Sequence, residues 1–209
     1  MKLNEKFQEL PEEKQQRIIN AGLAVFGQND YKHASTEDIA AKAGISKGLL
    51  FYYFQNKKTL YTFLFDWAAV RVKDSVMSES LSQTTDFFDY CFAAAAQKCR
   101  LLQQNPYLMD FFTRAFYSRQ EAVSGEMDSK ILQEMAAVYG TYFKKIDFFK
   151  FREDVNPQDI FQMLTWLTEG YLYERQRAGL GVELDDVMEK FRNWSECLKK
   201  VSYKEEYLR

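Results

Sequence analysis

No stretch of this 209-residue chain constrains its fold more than Ser35 to Phe54, S-T-E-D-I-A-A-K-A-G-I-S-K-G-L-L-F-Y-Y-F. Ser35 or Thr36 can accept the first free backbone N–H groups of a helix, and Asp38 stands three residues after Ser35, the spacing of a capping box. Ile39, Ala40 and Ala43 then recur on one face at helical spacing. Gly44 follows, a residue that leaves a helix through the left-handed region without a Cβ clash. Ser46 is placed to cap a second short helix, Lys47 to Phe54. Two short helices, a turn containing glycine, and alanines small enough for the axes to approach make a helix-turn-helix. The second helix carries Lys47, Gly48 and Leu49 in its first turn, then Phe51, Tyr52 and Tyr53. A donor-bearing N-terminus of this kind is what a recognition helix presents to the major groove, although so short a pattern also fits an ordinary helical corner.

The flanks narrow the choice. From about Gln16 to Tyr61 the chain resembles the DNA-binding segment of the tetracycline-repressor (TetR) type of bacterial transcriptional regulators. The matched positions are Ile18, Ala21, Phe26, Tyr31, Thr36, Ile39, Ala40, Ala43 through Gly48, Leu50, Tyr52, Phe54, Lys57 and Leu60. Beyond roughly residue 65 no motif continues the resemblance. It implies an all-α homodimer with a three-helix DNA-binding head over residues 1–55, joined by the start of a helix near residue 56. Residues 56–209 are then a larger helical domain for effector binding and dimerisation. By resemblance, Lys47, Gly48 and Leu49 approach base edges next to the capping Ser46. Lys47 could donate to a guanine, and Leu49 and Phe51 would meet thymine methyls. Thr36, Tyr52, Tyr53 and Lys57 match positions that touch phosphates, helped by a helix N-terminus. Leu49 stands where a small polar residue is usual, and Phe51 where a tyrosine is usual. Both changes remove hydrogen-bonding capacity and shift the reading of a palindromic double-stranded operator toward apolar contact.

Charge agrees once the chain is divided. The net charge of −2 conceals an excess of two positive charges in residues 1–75 and four negative charges in 76–209. Residues 31–58 alone carry five lysines against Glu37 and Asp38, so phosphate attraction is local. The chain has three prolines, and neither glycine nor proline lies between Gly48 and Pro106, which favours helix throughout.

The chemistry of catalysis and of metal binding is missing from the sequence. The histidine is His33 alone, the cysteines are Cys91, Cys99 and Cys197 with no C-x-x-C pair, and there is no P-loop, Rossmann fingerprint or G-x-S-x-G. No enzyme, metal site or cofactor is expected. Low cysteine usage and an N-terminal stretch without an apolar core point to a cytoplasmic protein.

Along the chain, Pro11 opens the first helix, whose inward stripe is Ile18, Ala21 or Gly22, Val25 and Phe26, and Tyr31 plugs the head's core. His33 lies in a link, exposed or structural. Asn56 caps a helix running to about Lys73, and Ser78 to Thr85 is the joint that follows. Asn105-Pro106 starts a short helix, residues 118–130 read as a loop or a frayed helix start, and a long helix is predicted from Ile131 to near Phe149. Asn156-Pro157 opens another, with Ile160, Leu164, Leu167 and Tyr171 in one stripe. A final helix places Val187, Phe191, Trp194, Leu198 and Val201 in a packing seam. These two helices can pack on their own domain and on a second copy, with Leu164, Leu167, Tyr171, Phe191, Trp194 and Leu198 as the expected dimer contacts.

With 18 Phe, 13 Tyr and 3 Trp, aromatics exceed what a core needs. Phe88, Phe92, Phe112, Phe116, Tyr139, Phe143 and Trp166 are the candidate wall of an effector cavity, against the plain alternative that each is core. The reading is a repressor released from DNA by a mostly apolar or aromatic small molecule. The alternative is a DNA-binding dimer whose C-terminal domain docks a protein partner.

Overall fold

The computed structural model describes residues 5–76, 81, 83–117 and 143–208, without the side chains of residues 106, 113, 116, 117 and 176. Among the described residues there are nine α-helices and no strand, as expected of an all-α chain. In order they are α1 (Glu5–Gln8), α2 (Glu12–Gln28), α3 (Thr36–Ala43), α4 (Lys47–Phe54), α5 (Lys57–Val76), α6 (Phe87–Gln104), α7 (Pro106–Tyr117), α8 (Pro157–Arg177) and α9 (Leu184–Ser202). None of the described helices is long and apolar enough to cross a membrane. They fall into two compact units, Met1–Lys73 with Gln104–Glu134, and Asp74–Gln103 with Met135–Arg209. This grouping differs from a single division near residue 55, because α7 packs with the head.

In the first unit α2 is the central rod. Nearly every residue from Ile18 to Phe26 is buried, since α3 and α7 both pack on it and Leu64 of α5 reaches its Gly22. A helix enclosed on several sides buries more than one stripe. At Gly27 a Cβ would lie 2.8 Å from Asp110 Cβ and 3.0 Å from the Phe111 backbone nitrogen, so α2 and α7 meet there more closely than a side chain permits. Arg114 Nε donates to the Gly27 carbonyl at 3.0 Å, satisfying one of the acceptors that a helix C-terminus leaves free. Tyr31 fills the core's edge as predicted, its ring 6.1 Å from Phe26 and 5.3 Å from Tyr61.

Helix α1 has no counterpart in the sequence reading. Four residues show no periodicity, yet Phe7 is only 1% exposed, with ring centroids 4.9 Å from Phe54, 5.3 Å from Phe63 and 6.0 Å from Tyr53.

The second unit is built on aromatic rings. Phe87, Phe88, Phe143, Phe151 and Tyr203 are buried together with Ile160 and Leu164 of α8 and Phe191 of α9. Asp86 ties the segments of this core. Its Oδ1 accepts from the backbone N–H of Phe88 at 3.0 Å and of Asp89 at 3.2 Å, capping α6. Oδ2 accepts from Lys150 Nζ at 2.9 Å and from the Tyr203 hydroxyl at 3.2 Å, and Lys199 Nζ lies 3.8 Å from Oδ1. Burial pushes this carboxyl up, but the Lys150 bond, the Asp89 N–H and the two lysine charges outweigh it and hold it below its ordinary value.

Two expectations fail in this unit. Of the long helix predicted from Ile131 to near Phe149, residues up to 142 lie outside those described, but 143–150 form two 3-10 turns, Phe143–Lys145 and Phe148–Lys150. Backbone groups here are taken by other segments. Asp147 N–H bonds Thr85 O, Arg152 N–H bonds Ser202 O, Lys204 N–H bonds Lys150 O, and Phe151 and Tyr203 form an isolated antiparallel bridge. The seam of α9 also stops short. Val187 and Phe191 are buried and Trp194 and Leu198 half-buried, but Val201 is 59% exposed, because the chain turns into that bridge at Tyr203.

Candidate nucleic-acid interface

Side-chain caps and a left-handed glycine build the helix-turn-helix locally. Ser35 Oγ accepts from the Asp38 N–H at 3.2 Å, and Ser46 Oγ from the Leu49 N–H at 3.1 Å. Gly44 leaves α3 at φ 68°, ψ 36°, the left-handed position where it avoids the Cβ clash other residues meet. Asn56 Oδ1 accepts from the Thr59 N–H at 2.9 Å and caps α5. Between α4 and α5, Gln55 adopts φ 63°, ψ −50°, and the Asn56 N–H reaches the Phe54 carbonyl at 2.6 Å. That is a γ-turn of the strained hand, and it sets the angle between the two helices.

Helix α4 buries Leu50, Tyr53 and Phe54, positions i, i+3 and i+4, and turns its other side outward. Lys47 and Gly48 are exposed, Leu49 and Phe51 half-exposed, and Tyr52 is 50% exposed. Ser46 is exposed at the cap, Lys57 half-buried at the start of α5, and Thr36 is buried at the start of α3, which leaves it little surface for the phosphate contact expected of it. Tyr53 departs from expectation. Placed among the phosphate contacts by sequence, it is 6% exposed and packs its ring on Phe7 and Phe54.

Three lysines of this face are held by neighbours. Lys47 Nζ pairs with Glu37 Oε1 and lies 5.8 Å from the Phe51 ring centre. Lys57 Nζ donates to the Lys32 carbonyl at 3.2 Å and sits 4.9 Å from the Tyr31 ring centre. Lys6 Nζ donates to the Tyr52 hydroxyl, 4.8 Å from that ring's centre, and this bond raises the Lys6 pKa. Sequence reasoning missed Lys6 as part of this face, since it lies far upstream of the motif and only the burial of Phe7 brings it there. Glu37 entered the sequence reading only as a negative charge in the balance of residues 31–58. His33 is exposed, its Nδ1 2.6 Å from Asp30 Oδ2, which lowers the pKa of Asp30.

The effector candidates do not converge as a set. Phe88 and Phe143 are buried in the second unit's core and Phe92 packs against it. Phe112 belongs to the first unit, its ring 6.1 Å from Phe65. Trp166 is 62% exposed on α8, off the buried Ile160–Leu164 stripe, and so lines no interior wall of this chain. Tyr139 and the Phe116 side chain lie outside the described residues.

The expected dimer contacts divide as well. Leu164 and Phe191 are internal, Tyr171 and Trp194 face each other at 6.1 Å, and Leu198 packs half-buried on the core. Leu167 is exposed. Met163, Trp166, Gly170 and Tyr173 lie exposed beside it at spacings of three, four and three, one face of α8.

A capped helix-turn-helix with an outward second helix is the arrangement that DNA-reading proteins present to the major groove. Residues 18–62 match the family described as bacterial regulatory proteins, tetR family. Over that segment the chain is similar to a family of transcriptional regulators. It is 27% identical over 131 residues to the HTH-type transcriptional repressor KstR of Mycolicibacterium smegmatis, an alignment covering 62% of this chain and 64% of that one. To KstR of Mycobacterium tuberculosis it is 24% identical over 131 residues, covering 62% of this chain and 59% of the other. The match thus spans under two thirds of those relatives. Among solved structures the fold is similar to the fatty acid degradation regulator FadR from Bacillus halodurans, with a TM-score of 0.70 at 16% identity over 86% of this chain and 97% of that one. It is also similar to SmeT, the repressor of the Stenotrophomonas maltophilia multidrug efflux pump SmeDEF, with a TM-score of 0.70 at 18% identity over 93% and 94%.

Proposed function

We propose that the protein is a cytoplasmic, sequence-specific DNA-binding regulator that works as a homodimer on a palindromic duplex. The reading rests above all on α4, whose inner face is anchored by Leu50, Tyr53 and Phe54 while Lys47, Gly48 and Leu49 point away from the head. Lys47 donates to a base edge, Leu49 and Phe51 meet thymine methyls, and Thr36, Tyr52, Lys57 and the N-terminus of α5 hold phosphates. Lys6 adds a further cation next to Tyr52. The exposed α8 face through Met163, Trp166 and Tyr173 supports pairing with a second copy, since one such face on each of two copies is self-complementary across a two-fold axis.

The second part of the proposal is that it represses transcription and leaves the operator when a mostly apolar or aromatic small molecule binds the helical remainder. The repressors named KstR and SmeT and the fatty-acid regulator FadR support this, as does the ring-rich core around Phe88, Phe92 and Phe143. An effector acts only if it favours one arrangement of the paired heads over the other, and a coupling of about 1–3 kcal/mol is ordinary and reciprocal. The test is a gel shift of the purified protein on the DNA upstream of its own gene, repeated across a panel of aromatic and aliphatic acids. Salt-sensitive binding to a palindrome, relieved by one class of compound, is the expected result. Absence of binding to any palindromic duplex sinks the reading.

A further inference from the structure

The first turns of α3 and α4 are joined across the head by an exposed ion pair, the Lys47 ammonium donating to Glu37 Oε1. The second carboxylate oxygen of Glu37 accepts from Ser35 Oγ at 3.4 Å and from Thr36 Oγ1 at 3.5 Å. Lys47 draws the Glu37 carboxyl below its ordinary range through that hydrogen bond. Neither partner is buried, so packing of the head does not call for the pair. It sets a negative charge beside Thr36 and Lys47, two positions assigned above to DNA, where a surface that only gripped phosphate has use for positive charge alone.

The cost and gain of opening the pair differ between two kinds of DNA contact. Sequence-blind affinity comes from cations that displace counterions from phosphate, and a lysine already neutralised by a carboxylate displaces none until the pair opens. Opening an exposed pair forfeits at most about fivefold in affinity. A well-placed base-edge contact brings about five- to 150-fold. A phosphate contact gains less, because the abandoned carboxylate then faces the same phosphate.

We propose that Glu37 is a specificity-determining residue of the DNA face: its carboxylate holds the Lys47 ammonium away from random-sequence phosphate and releases it where a base edge in the major groove accepts it instead. This rests on the DNA-binding reading given above.

The experiment compares the full chain with Glu37→Gln, Lys47→Gln and the double variant on two probes across a salt series. One probe is a random-sequence duplex, the other a duplex enriched from a randomised pool by the unaltered protein. Glu37→Gln should tighten random-sequence binding about two- to fivefold at low salt. It should steepen the slope of log affinity against log salt by about 0.9, one further phosphate, and narrow the preference for the enriched duplex. In the Lys47→Gln background the same change should do neither. In the DNA-free protein, Lys47→Gln should raise the Glu37 carboxyl titration followed by NMR. An unchanged slope in Glu37→Gln, an equal gain without Lys47, an unmoved Glu37 titration, or a loss confined to one cytosine position would each overturn the inference while the DNA-binding reading stands. Failure of the unaltered protein to bind either probe overturns both.

Discussion

Leu49 and Lys57 both lie on the outward side of the head, yet their contacts with a duplex differ in kind. Lys57, held over Tyr31 at the start of α5, offers a charge to phosphate, and phosphate carries no sequence information. Lys57→Ala should therefore weaken binding to all duplexes and flatten the salt slope by about 0.9, read by titration at several salt concentrations. Leu49, in the first turn of α4, offers an apolar surface to a base edge. Leu49→Ala should cost about 1–3 kcal/mol at one operator position and relax the preference there, as selection from a randomised pool would reveal. Altered base preference with an unaltered salt slope in Lys57→Ala would reverse these roles. Between them sits Gln55 at φ 63°. Glycine tolerates that backbone, so Gln55→Gly should raise the unfolding free energy by about 1 kcal/mol, the lower end of what a strained residue stores. Chemical denaturation measures it, and a destabilised variant would mean that the turn is unstrained.

At the scale of helices, what could be read from sequence was whatever local chemistry decides. Ser35, Gly44, Ser46 and Asn56 terminate or cap helices through groups within four residues of themselves, and each does so where expected. Helix α1 and the turns at 143–150 escaped because tertiary contacts make them. Phe7 needs Phe54 and Phe63 to be buried, and Lys150 needs the end of α9 to bond its carbonyl. The same distinction separates Tyr52 from Tyr53, neighbours in sequence with opposite fates because only one shares a face with Leu50 and Phe54. Two element-level predictions follow from close contacts. Gly27→Ala should force α2 from α7 and destabilise the protein by about 1–3 kcal/mol, seen as a lower melting temperature. Asp86→Ala should cost about 1–3 kcal/mol through its lost charged hydrogen bonds. Because the Asp86 carboxyl titrates below its ordinary 3.8 in the folded protein, its contribution is present above that value and is lost as pH falls through the folded one. The gap between wild type and variant, followed by urea unfolding, should be full at neutral pH and close in acid. A gap that widened in acid would contradict the assignment.

For the molecule as a whole, the exposed stripe of α8 makes the sharpest prediction. Trp166→Glu places a charge in the middle of the proposed two-fold contact, so sedimentation should show monomers, and affinity for a palindrome should drop toward that for a half-site. A particle of unchanged mass would remove this face from the interface. Sequence periodicity had identified α8 and α9 as two-sided helices without telling which side faced inward, since Leu164 and Leu167 are equally apolar and only packing separates them. The hold of α7 on the head bears on how this protein can be cut and recombined. Arg114 occupies the last turn of α2, and Gly27 is shaped to Asp110, so a fragment ending at residue 55 or 76 leaves a furrow open to water and the Gly27 carbonyl without its Arg114 donor. Any chimera that transplants this reading head onto a foreign sensor must carry Pro106–Tyr117 along with it, or supply another helix to fill the furrow.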